Sequence, residues 1–315
     1  MTPLEQAADS APAMRGLRSE YASIDGHRLH YWIGGPPEGT LTVLWHGFLG
    51  TGYAWREVAP DLVDAGLRVL IVDLLGFGDS DKPEGTHGYD ALAIAEQVRS
   101  LAAQVAPTSR EHLLVGHDMG APPALLWAAE HPDEVGALVY IEAPAMLGDA
   151  LRCIISYTPQ AMAAGSTWWW ILPLAPGVPQ ALIVGHEEQF LRWFYDGPAG
   201  DPNTFDQRLV AEYLRTFSGA DGVLGAMGVY RAAFTSIEQT EPLQHAKIRM
   251  PVVGVGGERG LGRQVATMLQ SVAANVIATT LDGVGHFVPE EAPREVVRIV
   301  TDLAHTIRPD QGEHR

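Results

Sequence analysis

Apolar residues along this chain gather in short runs of strand length, at 41–45, 68–72, 112–115, 137–141, 251–255 and 276–281. Most are separated by stretches with the apolar repeat of amphipathic helices. That alternation predicts an α/β fold with a mostly parallel sheet, since parallel neighbours need crossover connections and are covered on both faces. Ahead of the first run, 21–24 and 27–33 flank Asp25-Gly26, a two-residue turn signal that predicts an antiparallel edge hairpin. The rhythm breaks between 146 and 235, where one helix would be expected and some ninety residues intervene. The segment carries Trp168, Trp169, Trp170, Phe190, Trp193, Phe194, Tyr195, Tyr213, Phe217 and Tyr230. It reads as an inserted helical cap whose aromatics mostly form its own core while a few face the cleft beneath. The expected organisation is a flexible leader over 1–18, core over 19–145, cap over 146–235, core again over 236–308 and a flexible tail over 309–315.

Composition narrows the class. With 46% hydrophobic and 19% charged residues in 315, the chain is long and apolar enough for one large domain with an insertion, not a disordered or fibrous protein. A net charge of −17, with Lys82 and Lys247 the only lysines, argues against a nucleic-acid-binding face and disfavours anionic substrates. Cys153 is the single cysteine, which rules out an internal disulfide and a cysteine-based metal cluster and leaves it a packing role. The first 18 residues have no apolar h-region and no run reaches membrane-spanning length. A soluble cytoplasmic protein without nucleic-acid or membrane partners, monomer or homodimer, is the expectation.

Candidate chemistry centres on Gly116-His117-Asp118-Met119-Gly120. It follows the buried run 112–115 and precedes a helical pattern over 122–130, the strand–turn–helix order of a nucleophile elbow with aspartate in place of serine. A carboxylate attacks an sp3 carbon by displacement and gives an alkyl-enzyme ester, whereas attack on an acyl carbon would give an unstable anhydride. That ester must be hydrolysed, which calls for a histidine to activate water and an acid to orient it. Of twelve histidines, His286 in Gly283-Val284-Gly285-His286-Phe287 is best placed, between the last strand and the last helix, 293–305. Two acids compete. Glu142 follows the strand 137–141 and Glu258 follows 251–255; Arg259 and the glycines around Glu258 point to a solvated turn and favour Glu142. The N–H groups of Phe48 and Met119 are expected to form the oxyanion hole, with His46 anchoring that loop and Asp73 structural.

From about Tyr21 onward the chain resembles the α/β-hydrolase superfamily, in the branch of epoxide hydrolases and haloalkane dehalogenases. The resemblance is carried by His46-Gly47-Phe48, Gly78-Asp79-Ser80-Asp81-Lys82-Pro83, the Asp118 elbow, Tyr140-Ile141-Glu142-Ala143-Pro144 and Gly285-His286. It implies Asp118 as nucleophile, His286 as base and Glu142 as acid. Most epoxide hydrolases place an aspartate one strand later, where this chain has Gly260 with Glu258 nearby. The resemblance also implies cap donors to the epoxide oxygen: Tyr230, and a second one in Trp168-Trp169-Trp170. Trp169 stands where some relatives carry histidine, with Trp168 a further candidate. An indole N–H donates but cannot release its proton at neutral pH, so Tyr230 is the expected proton source.

A cofactor-free, metal-free epoxide hydrolase acting on a bulky or aromatic, natural-product-like epoxide is the reading these residues favour. A haloalkane or haloacid dehalogenase is the alternative. Met119 and Phe48 stand where haloalkane dehalogenases carry tryptophan and asparagine, and Ala121, Pro122 and Pro123 supply no arginine for a haloacid carboxylate. A non-catalytic ligand-binding homologue is the second alternative.

Overall fold

The computed structural model describes residues 11–109, 111–145, 148, 158–159 and 168–307. Eight strands form one sheet in the order β1-β2-β4-β3-β5-β6-β7-β8. They are β1 (Leu17–Ile24), β2 (His27–Gly34), β3 (Leu41–Trp45), β4 (Arg68–Val72), β5 (His112–His117), β6 (Val135–Ile141), β7 (Ile248–Gly257) and β8 (Ala273–Leu281). β2 runs antiparallel to β1 and β4, and the remaining pairs are parallel. Asp25 at φ 50 and Gly26 at φ 82 turn the hairpin, the left-handed pair that matches the twist of the flanking strands.

β3 and β5 are buried at every position, as continuous apolar runs in the middle of a parallel sheet must be. One face packs against α1 (Ala59–Asp64) and α13 (Pro293–Ile307) through Trp55, Leu62, Val296, Ile299 and Leu303. The other packs against α2 (Ala91–Val105), α3 (Ala121–Glu130) and α11 (Gln264–Leu269) through Leu101, Trp127 and Leu269.

Between β6 and β7 come α4 (Trp168–Ile171), α5 (Val178–Ile183), α6 (Glu187–Asp196), α7 (Gln207–Phe217), α8 (Gly219–Ala226), α9 (Gly228–Arg231) and α10 (Ala233–Thr240). This insertion rests on loops at the carboxyl end of the sheet. The Tyr195 hydroxyl donates to Leu49 O at 2.7 Å, and Tyr195 stacks on Phe205, which meets Phe287 edge-on. A short α12 (Val288–Glu291) precedes α13.

Two expected boundaries move. The leader does not extend to residue 18: Leu17 opens β1, Met14 is buried, Pro12 O accepts the Trp32 indole N–H, and Arg15 pairs with Asp61 and Asp64. An expected cap end at 235 would cut α10, whose Ser236 hydroxyl and Gln239 carbonyl accept the Ala91 and Leu92 N–H groups that open α2. That docking carries the insertion's last helix onto the core. Cys153, most of the expected cap's first residues and the expected tail over 309–315 lie outside the described residues.

Candidate active site

β5 runs straight into the turn that bears Asp118, which sits at φ 47. A Cβ at Gly116 would stand 2.5 Å from Ala121 Cα, and one at Gly120 2.5 Å from His46 O. The elbow therefore closes only with glycine on both sides of its turn. Among the described residues, the only other non-glycine residues at positive φ besides Asp25 of the hairpin are Leu49 and Glu142. All three non-hairpin outliers lie at one site, where such backbone strain is characteristically stored.

Asp118 is held by backbone. Phe48 N–H donates to its Oδ2 at 2.8 Å, and the Met119 N–H bonds the same carboxylate. Burial pushes its carboxyl above the ordinary range, against the His286 charge and these two N–H groups. His286 Nε2 lies 3.9 Å from Asp118 Oδ1, beyond direct hydrogen-bond reach. His286 Nδ1 lies 3.2 Å from Glu142 Oε2. The Glu142 carboxylate is itself fixed by Gly257 N–H at 2.8 Å and Leu261 N–H at 2.9 Å, with 1% of its side chain exposed. Burial alone would lower the His286 pKa; the hydrogen bond to Glu142 and the charges of Asp118 and Glu142 outweigh it and raise it.

Glu258 is not part of this chain of contacts. It is exposed and accepts the Gly283 N–H at 2.8 Å. Its loop contributes room instead, because a Cβ at Gly260 would fall on the Glu142 carboxylate. A side chain at 260 would displace the Glu142 carboxylate from its present place.

Two further histidines hold the scaffold. His46 Nε2 accepts Leu74 N–H at 3.1 Å, so Nδ1 carries the proton and donates to Gly47 O at 2.8 Å. His117, which the sequence reading did not single out, puts Nε2 2.9 Å from His286 O. Burial, then the His286 charge, depress His117 to about 3, so its neutral ring donates to that carbonyl and ties elbow to histidine loop. Asp73 accepts from Gly52 and Asp79 N–H groups and pairs with buried His30 at 2.7 Å.

The family signature described as alpha/beta hydrolase fold matches residues 42–163. A soluble epoxide hydrolase from Corynebacterium sp. is 31% identical over 88% of this chain and 93% of its own length. A fluoroacetate dehalogenase from Burkholderia sp. is 27% identical over 93% of this chain and 95% of its own. The crystal structure of Cfl2 from Burkholderia cenocepacia superposes with a TM-score of 0.83 at 34% identity, covering 93% of this chain and 97% of that one.

The chain belongs to the α/β-hydrolase family, in the branch of epoxide hydrolases and dehalogenases. Against the elbow this hydrolase sets an aromatic wall. The Phe48 ring meets Tyr230 at 4.7 Å, Phe194 at 5.3 Å and Trp169 at 6.0 Å. Tyr230 is buried and its hydroxyl has no partner among the described residues; the same holds for the Trp170 indole N–H, whose ring lies 5.3 Å from that of Tyr230. Buried donors without partners are rare and need a reason. Burial and the Asp118 charge hold the Tyr230 hydroxyl well above its ordinary pKa, hence protonated.

The tryptophans divide. Trp169 faces Phe48 and Tyr230, whereas the buried indole N–H without a partner among the described residues belongs to Trp170. Trp168 turns outward against exposed Trp193 and is 39% exposed, which removes it from the wall. Consecutive helix positions point about 100° apart, and sequence alone does not say which of three faces inward. Among the described residues no helix is long and apolar enough to cross a membrane.

Proposed function

We propose that this hydrolase opens an epoxide to a vicinal diol through an ester on Asp118. The observation that carries the reading is a backbone-held carboxylate at the elbow beside Tyr230, whose buried hydroxyl has no partner among the described residues and lies within the field of Asp118, with the likewise unpartnered Trp170 indole next to Tyr230. Phe48 N–H pins Oδ2, so Oδ1 attacks the epoxide carbon and the carbon–oxygen bond breaks. The released oxygen takes its proton from Tyr230 while Trp170 donates a hydrogen bond, with Trp169 lining the same wall. Forming the ester removes the Asp118 charge that raises the Tyr230 pKa, so the phenol becomes more acidic as the alkoxide appears.

His286, oriented by Glu142, then takes a proton from water, and the hydroxide attacks the ester carbonyl carbon. Its oxygen is stabilised by Phe48 and Met119 N–H groups; collapse breaks the ester bond, the departing diol oxygen takes the proton of the added hydroxyl and leaves Asp118 a carboxylate, and the proton held by His286 returns to the Tyr230 phenolate. The aromatic wall favours a bulky epoxide, of the kind natural-product pathways make, and the single cysteine fits a cytoplasmic setting. No step calls for a cofactor or metal.

Dehalogenation is the second reading, favoured by one observation: a leaving halide would also accept from Tyr230 and Trp170. Intact-protein mass of His286→Ala with aryl epoxides and with haloalkanes separates the two. Gain of a whole epoxide, abolished by Asp118→Asn and slowed about 100-fold by adding Tyr230→Phe, is expected. Gain of a haloalkane less HX, with none from epoxides, would move the assignment; no adduct from either panel would count for a non-catalytic binding protein.

A further inference from the structure

His286 lies in the loop between β8 and α12, and the peptides on both sides of it are held by one side chain. Glu291 accepts Gly285 N–H at Oε2, 2.9 Å, and Phe287 N–H at Oε1, 3.0 Å. The same Oε2 accepts Gly200 N–H at 2.8 Å from the loop after α6 in the insertion. Two more bonds fasten that loop beside it: His286 N–H donates to Pro198 O at 3.0 Å, and Arg259 Nη1 donates to Gly200 O at 2.5 Å. The backbones are in direct contact, since a Cβ at Gly200 would stand 2.5 Å from Gly285 N and 2.6 Å from Glu291 Oε2. Just before this loop, Tyr195 holds Leu49 O, next to the Phe48 amide that binds Asp118.

We propose that Glu291 is a positioning residue for ester hydrolysis: its carboxylate fixes the backbone on both sides of His286 and locks it to the 198–200 segment of the insertion. This rests on the roles given above to Asp118 and His286. Water activation demands His286 Nε2 at a set distance from the ester, and a misplacement near 1 Å costs on the order of 100-fold in rate. Asp118 attack does not use the imidazole as base, so the two steps respond differently to loss of Glu291. A glutamine at 291 keeps one oxygen and turns an NH2 toward at least one of the three N–H groups, a donor–donor contact.

The test compares wild type, Glu291→Gln, Gly200→Ala and His286→Ala with an aryl epoxide that alkylates His286→Ala. Glu291→Gln is expected to form the ester at the wild-type rate and hydrolyse it roughly 10- to 100-fold more slowly, so adduct accumulates during turnover. Gly200→Ala opens the same contact from the insertion and should do likewise, which keeps the test decisive where Glu291→Gln fails to fold. Hydrogen exchange over 198–200 and 283–287 should quicken in both variants. Unchanged hydrolysis alongside faster exchange would overturn the proposal, as would loss of both steps in proportion. An absence of adduct on His286→Ala itself would instead mark failure of the functional reading.

Discussion

At the scale of single residues, the reaction proposed above would change the charges that organise the site. The His286 pKa is raised by its bond to Glu142 and by the Asp118 charge, against burial. In the reaction proposed above, alkylation would neutralise Asp118 and withdraw one of these contributions, so the His286 pKa would fall in the intermediate, where a neutral imidazole is needed. Hydrolysis of a preformed ester should therefore rise with pH through a midpoint below the His286 titration of the free enzyme followed by NMR. Glu142→Gln should lower that midpoint further while slowing the step. A midpoint equal to or above the free-enzyme value would contradict this coupling. Gly260 belongs to the same scale, because it is the missing side chain that leaves Glu142 its place.

At the scale of elements, the insertion is fastened to the core by hydrogen bonds and ion pairs spread along its helices. Arg215 of α7 reaches Asp79 of the core with two bonds, 2.9 and 2.6 Å, and bonds Glu212 on its own helix. The pair is only 18% and 13% exposed. Removing the cation would leave two carboxylates facing each other in a poorly hydrated place, so Arg215→Met should destabilise by about 1–3 kcal/mol. Arg298 of α13, 56% exposed with Glu295 and Asp302, is the control; its methionine variant should stay within about 0.5 kcal/mol. Urea unfolding of both variants decides, and equal effects would mean the α7 contact adds nothing beyond a surface pair.

At the scale of the whole molecule, stability depends on acids the fold holds away from water. Glu290 on α12 bonds Tyr213 through Oε1, its buried Oε2 has no partner among the described residues, and burial raises its pKa from 4.5 to about 7. Its folded-state value lies above the unfolded one, so ionisation begins to cost stability as pH rises past 4.5 and the cost is complete above about 7. Glu290→Gln should then be more stable than wild type at pH 8, by up to about 3 kcal/mol, with the gain gone near pH 4.5. Thermal melts across that range check it, and a gain independent of pH would disprove the ionisation account.

Much of this was legible in the chain. Strand runs, hairpin turn and the Asp118 elbow are local, since apolar periodicity, a Asp25-Gly26 turn and the glycines at 116 and 120 act over a few residues. Family motifs extended that reading to His286. What the sequence could not decide are relations between segments distant in the chain. Glu142 and Glu258 both follow strands, and only the packed loops put the first against His286 and the second at the surface. Three adjacent tryptophans offer the same chemistry until the helix is rotated against Phe48 and Tyr230. No local pattern singles out His117, Trp170 or Glu291, whose contacts with His286, Tyr230 and Gly200 span 169, 60 and 91 positions. Local pattern determined the elements and the Asp118 elbow; tertiary packing alone decided which acid meets His286, which tryptophans turn toward Tyr230 and which carboxylate clasps the histidine loop, because each depends on distances across the fold.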